Sequence, residues 1–150
     1  MMSFIRGKDT KPEQLVRRGL WALGFRFRLH AKELPGRPDL VLPKWRTAIF
    51  VNGCFWHAHA NCRYFRIPAS RPEFWGAKLA ANRHRDSDSI AKLQSLGWNV
   101  VTIWECALRR DPVATVNATA DLIREDAYGN SHVELRRHSP EDGPVAISRR

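Results

Sequence analysis

The dozen residues from Val51 to Cys62 carry two thiols, two imidazoles and two large aromatic rings. Thiolates and imidazoles are the usual ligands of zinc, and imidazole is also the side chain that titrates near neutral pH. Cys54, His59, Cys62 and a distant Cys106 make a four-ligand set of the structural-zinc type. His57 competes with His59 for the place of the nitrogen ligand, and spacing alone does not choose between them. Small buried cysteines beside a surface histidine are the plainer reading of the same residues. A second chemistry starts at Asp39, which follows Pro35-Gly36-Arg37-Pro38. A carboxylate at the head of a strand can hold Mg²⁺ together with waters and phosphate oxygens. Asp39 would then bring the ion and His57 a general base for hydrolysis of a phosphodiester, with Glu13 reaching the outer water shell. A lone Asp beside a Pro-rich turn is more commonly just a turn cap. Phe55 and Trp56 are adjacent, so both cannot enter one strand face. An exposed aromatic here would wedge into a base step, with Trp75 joining it, although a core position is the plain expectation for Trp75.

These groups need elements to position them. Asp9 or Thr10 can cap a helix that starts at Pro12 and Glu13 and ends at Gly24, with Leu15, Leu20, Trp21 and Leu23 as its apolar stripe. Phe25 to His30 alternates with period two, as a half-buried strand does, and puts Arg26, Arg28 and His30 on one face. Asp39–Leu42 and Trp45–Val51 read as an antiparallel hairpin around Pro43-Lys44, which brings Asp39 close to Val51. A long helix spans 72–96, with Asn82 and Asp86 sharing the face of Leu79, Ile90 and Leu93. Gly97 stops it, and a strand over 98–104 delivers Glu105 and Cys106. If that strand runs parallel to the one before Cys54, the two cysteines meet. A helix over 112–124 closes the core. The expectation is an α/β fold with a central mixed β-sheet flanked by helices, as one domain over 1–126. Residues 1–10 form an arm and 127–150 a flexible polar tail.

The charge is strongly basic: 25 Lys and Arg against 15 Asp and Glu, for a net +10, in a chain with 6 Trp. That combination points to nucleic acid as partner. No run approaches a membrane span, and Met1–Lys8 lacks the apolar stretch of a secretory signal, so the expected setting is the cytoplasm. Three cysteines cannot all pair within one chain, which favours metal, catalytic or buried roles over disulfides.

Taken in order, Pro35-Gly36-Arg37-Pro38-Asp39, Asn52-Gly53-Cys54-Phe55-Trp56-His57, Pro68-Ala69-Ser70-Arg71-Pro72-Glu73-Phe74-Trp75 and Trp104-Glu105-Cys106 resemble the very-short-patch-repair (Vsr) endonuclease family. The resemblance runs from about Arg6 to Arg109. It implies a restriction-endonuclease-like fold with a structural zinc. It also implies a strand nick 5′ of the T in a T:G mismatch, the product of 5-methylcytosine deamination. By position it makes Asp39 a Mg²⁺ ligand along with the Val51 backbone carbonyl, His57 the general base and Glu13 a supporting acid. It gives zinc to Cys54, His59, Cys62 and Cys106, and the wedge to Phe55, Trp56 and Trp75. Arg6, Lys8 and Asn52 fall among the DNA contacts, the first two on an arm that is short for the family. The implied setting is a monomer on duplex DNA at the bacterial nucleoid, linked in function to a cytosine-5 DNA methyltransferase and mismatch-repair proteins. Two departures stand out. Val51 and Asn52 replace Thr and His of some relatives, and the strand ending there has no second carboxylate. Competing readings are a related nuclease of other specificity and a zinc-stabilised DNA-binding module without catalysis. A zinc hydrolase is disfavoured, because four protein ligands leave the metal no open position.

Overall fold

A computed structural model describes residues 10–125 and 130–137. The hydroxyl of Thr10 accepts from the Glu13 amide at 3.4 Å and caps α1, Lys11–Ala22. Two short strands follow, β1 (Arg28–Leu29) and β2 (Leu40–Leu42). A 3₁₀ turn over Pro43–Trp45 and a left-handed Arg46 (φ 50°) then reverse the chain into β3, Thr47–Asn52. Next come α2 (Pro72–Ser95), β4 (Asn99–Trp104), α3 (Glu105–Arg110), α4 (Pro112–Glu125) and β5 (His132–Leu135).

The sheet order is β1-β2-β3-β4-β5. β1, β2 and β3 pair antiparallel, whereas β3, β4 and β5 pair parallel, so the sheet is mixed. Side chains alternate across it. Ile49, Val51, Val101, Ile103 and Leu135 face a core shared with Val16 and Leu20 of α1 and Ile123 of α4. Ala48, Phe50 and Val100 face Leu93 and Ile90 of α2. All six residues of β4 are buried, as expected for a strand with helices on both sides.

Three departures from the sequence reading have physical causes. The stripe of α1 is Glu13, Val16 and Leu20, spaced three and four apart, while Leu15, Trp21 and Leu23 are 44%, 54% and 42% exposed. The period-two run before His30 contributes only two paired residues, because β2 offers just three and His30 turns left-handed at φ 50°. Finally, part of the segment expected as a loose tail is β5. It completes the sheet and buries Val133 and Leu135.

Gly36 fixes how the Asp39 loop meets α2. Its φ is +75°, and a Cβ there would lie 2.7 Å from Ser89 Cβ and 3.1 Å from Phe50 Cζ. Gly36→Ala is therefore expected to cost about 2 kcal/mol, from the left-handed penalty plus a clash that one methyl cannot evade. Thermal unfolding reads the loss, and a variant as stable as the parent would refute the packing argument.

Candidate active site

Parallel pairing of β3 and β4 sets Asn52 opposite Trp104. Both chains therefore leave the sheet at the same end, one into Gly53-Cys54 and the other into Glu105-Cys106. Cys54, His59, Cys62 and Cys106 converge there, with their ligand atoms all within 4.8 Å of one another. Two left-handed residues, Ala58 (φ 49°) and Asn61 (φ 56°), curl the loop so that His59 and Cys62 turn back towards Cys54. Cys54 and Cys106 are fully buried and His59 nearly so. His59 Nδ1 lies 3.6 Å from Cys106 Sγ, and its ring stacks on Trp104 at 3.8 Å between centroids. A tetrahedral zinc with ordinary bond lengths sets an S···N edge of about 3.6 Å, so the donor set fits that ion in chemistry and span. The thiols share protons unequally. The hydrogen bond from Cys54, with His59 and the Arg137 amide, lowers Cys106, while the same bond and burial push Cys54 up. Of the two competing histidines, geometry brings His59 into the cluster and leaves His57 outside it.

Asp39 and His57 line one cleft of about 280 Å³ with Val51, Asn52, Asp86 and Thr102. Asp39 Oδ2 accepts from the Val51 amide at 2.7 Å. A strand residue directs its N–H and C=O to the same side, so the Val51 carbonyl faces the edge that Asp39 occupies. Glu13, only 2% exposed, brings its carboxylate to within 4.8 Å of Asp39 and of His30. Burial first, and the nearby Glu13 charge further, raise the Asp39 carboxyl to about 7 against the lowering by the Val51 amide. Two carboxylates this close, beside a backbone carbonyl, offer the oxygen donors that a hard cation such as Mg²⁺ takes.

On the other wall, His57 Nδ1 sits 2.5 Å from Asp86 Oδ2. That contact fixes the ring and leaves Nε2 for the cleft. Asn82, one turn earlier on α2, donates to the Trp56 carbonyl at 3.0 Å and holds the loop from the same helix. Asp86 and Asn82 stood out in the sequence as polar residues on an apolar helix face. That signal located them but gave no partner. Arg17 and His30 were not read as site residues. The Arg17 guanidinium donates to Glu13 Oε2 at 3.1 Å and faces His30 Nε2 at the same distance, so the ring nitrogen accepts there.

Phe55, Trp56 and Trp75 lie outside the core clusters and are partly exposed. Phe55 meets Trp56 at 5.1 Å and Trp75 at 5.7 Å, centroid to centroid, and Trp56 meets Trp75 at 6.1 Å. The three rings form one aromatic ledge beside the cleft. Arg6 and Lys8 lie outside the described residues.

Comparisons with known proteins place the chain in a family. The family model for DNA mismatch endonuclease Vsr matches residues 1–63. The type II nicking enzyme V.XorIIP of Xanthomonas oryzae pv. oryzae is 48% identical over 108 residues, covering 72% of this chain and 79% of the relative. DNA mismatch endonuclease Vsr of Escherichia coli is 43% identical over 124 residues, or 83% of this chain and 79% of that one. The type II nicking enzyme V.NmeAIP of Neisseria meningitidis is 41% identical over 125 residues, 83% and 88% of the two chains. Likeness of this extent to such relatives makes this protein a DNA endonuclease, a hydrolase. More narrowly, the chain belongs to the Vsr family.

Proposed function

We propose that the protein nicks one strand of duplex DNA on the 5′ side of the T in a T:G mismatch, with Mg²⁺ as the catalytic ion. One observation carries the chemistry: Asp39, on the Val51 backbone, faces His57, held by Asp86, across a single cleft. Mg²⁺ bound there would neutralise charge on the phosphoryl oxygens and orient the attacking water. Asp39 and the Val51 carbonyl would be its ligands, and Glu13 would hold its outer waters. His57 Nε2 takes the proton of that water as a new P–O bond forms. One existing P–O bond of the diester breaks, and the leaving oxygen is protonated. The zinc set has four protein ligands and no open position, so its role is structural, shaping the loop that carries His57 and the rings. Phe55, Trp56 and Trp75 enter the base stack next to the mismatch, where pairing is weakest and unstacking costs least. Asn52, in the cleft, and Arg6 and Lys8, on the arm, contact DNA. The reading extends to a restriction-endonuclease-like fold and a monomer in the bacterial cytoplasm at the nucleoid. Deamination products arise where a cytosine-5 DNA methyltransferase acts, which links the activity to that enzyme and to mismatch-repair proteins.

The test is strand nicking of a labelled duplex with one T:G pair, beside its T:A and C:G twins, in a CT(A/T)GN context. A single cut 5′ of the mismatched T supports the reading. A cut at a different mismatch or site supports the second reading, a nicking endonuclease of other specificity. That reading is favoured by the type II nicking enzyme at 48% identity. Binding without any cut overturns both.

Asp86→Asn keeps the shape of the His57 partner and removes its charge. Nicking is expected to fall by about 10–100-fold in single turnover, with DNA affinity unchanged, because a carboxylate stabilises the imidazolium formed as the water is deprotonated. Unchanged single-turnover rates would remove Asp86 from the mechanism.

A further inference from the structure

The side of the zinc-type cluster that faces β5 is tied to that strand's end by hydrogen bonds. β5 runs parallel to β4 with Leu135 opposite Ile103. The next two residues, Arg136 and Arg137, therefore emerge at the end of the sheet where Cys106 and the 54–62 loop lie. Arg136 Nη2 donates to the Ala60 carbonyl at 2.7 Å and to the Asn61 carbonyl at 3.2 Å. Those carbonyls belong to the turn between His59 and Cys62, where Asn61 is left-handed at φ 56°. The Arg137 amide donates to Cys106 Sγ at 3.2 Å. A second strut comes from the same strand: Glu134 accepts from Trp104 Nε1 at 2.9 Å, and His59 stacks on that indole.

We propose that Arg136 is a positioning residue: its guanidinium ties β5 to the His59–Cys62 turn and holds the metal loop closed over the sheet. The loop also carries His57 and two of the three ledge rings, so the contact reaches the cleft through the backbone. Both bonds leave the one Nη2, whose N–H directions are fixed in the guanidinium plane, while a lysine ammonium on its flexible stem lacks that preset geometry. The polar C-terminal segment thereby takes part in the site.

The inference rests on the zinc reading of the cluster, and the two can fail separately. Zinc content of the unaltered full chain comes first, with about one ion per chain expected. Transfer of zinc to a coloured chelator is then timed for the parent, Arg136→Ala, Arg136→Lys and Val133→Ala. Val133 is a buried β5 residue that touches the hydrophobic core, so its truncation weakens the strand but spares the guanidinium. Release is expected to be about tenfold faster in Arg136→Ala and intermediate in Arg136→Lys. In Val133→Ala it should lie close to the parent rate at a matched loss of thermal stability. Parent-like release in Arg136→Ala overturns the role of Arg136. Equal acceleration in Val133→Ala overturns it too, by reducing the effect to strand stability. If Arg136→Ala does not fold, Arg136→Lys against Val133→Ala decides by the same comparison. An unaltered chain that holds no zinc overturns the metal reading and this inference with it.

Discussion

Asp39→Asn is expected to abolish Mg²⁺-dependent nicking, by at least about a thousandfold, while leaving DNA binding within about threefold of the parent. The amide oxygen of Asn can still accept from the Val51 N–H, which Asp39 Oδ2 meets at 2.7 Å, so the strand end keeps its geometry. What is lost is the anionic donor a hard cation needs. Binding is spared because the substitution removes a negative charge near phosphates and touches neither the aromatic ledge nor the metal loop. The same substitution should change stability in a defined direction. Burial and Glu13 raise the Asp39 carboxyl to about 7, above its unfolded value of 3.8. The folded state thus holds an extra proton between those values, and this contribution is lost as pH rises through about 7. In Mg²⁺-free buffer without chelator, the melting temperature of Asp39→Asn should therefore gain on the parent between pH 5.5 and pH 8. Added Mg²⁺ should stabilise the parent alone. Below about pH 7 the ion competes with a proton, so half-saturation should need about ten times more Mg²⁺ per pH unit. A variant that nicks at more than a tenth of the parent rate would place the catalytic ion elsewhere.

This trade of stability for chemistry shows which parts of the site were legible in the sequence. The β2–β3 hairpin was, because two apolar runs joined by Pro43-Lys44 can hardly pair otherwise, and its register carries Asp39 to Val51. The approach of Cys54 and Cys106 was legible only on the condition of parallel pairing, which the structure meets: each lies two residues past the end of a buried strand. The partner of His57 was not. Asp86 lies 29 residues away on α2, and only the packing of α2 against the sheet decides which polar residue of that helix reaches the cleft. Burial of Glu13 was not legible either, because a carboxylate on the inner stripe of α1 contradicts apolar patterning. It marks a place beside the candidate site where apolar patterning fails. β5 escaped because four residues in a polar segment carry little periodic signal, and its pairing with β4 is long-range. Even so, Arg136 at its end donates to the 54–62 loop and the Arg137 amide to Cys106.

Cys106→Ala should act through a different link, and the contrast with Asp39→Asn separates the two centres. Cys106 is fully buried, and its sulfur lies 3.6 Å from His59 Nδ1 and accepts from the Arg137 amide. Truncation removes one of four ligands and leaves the Arg137 backbone amide without its acceptor. Structural zinc in small domains contributes on the order of 10 kcal/mol to folding. Even a fraction of that, about 3 kcal/mol, would lower the melting temperature of a chain this size by roughly 10 °C. Zinc content should fall from about one ion per chain to near zero. The decisive difference lies in binding. Because the metal loop carries Phe55, Trp56 and His57 together, its loosening should weaken affinity for a T:G duplex more than tenfold and nicking at least a hundredfold. Asp39→Asn should lose nicking alone. Fluorescence anisotropy on the labelled duplex, run beside single-turnover nicking and metal analysis, gives all three readings on one preparation. Full zinc content and parent-like affinity in Cys106→Ala would mean that the Cys106 sulfur neither holds the metal nor shapes the loop. The loop would then owe its shape to Arg136, Asn82 and Asp86 instead.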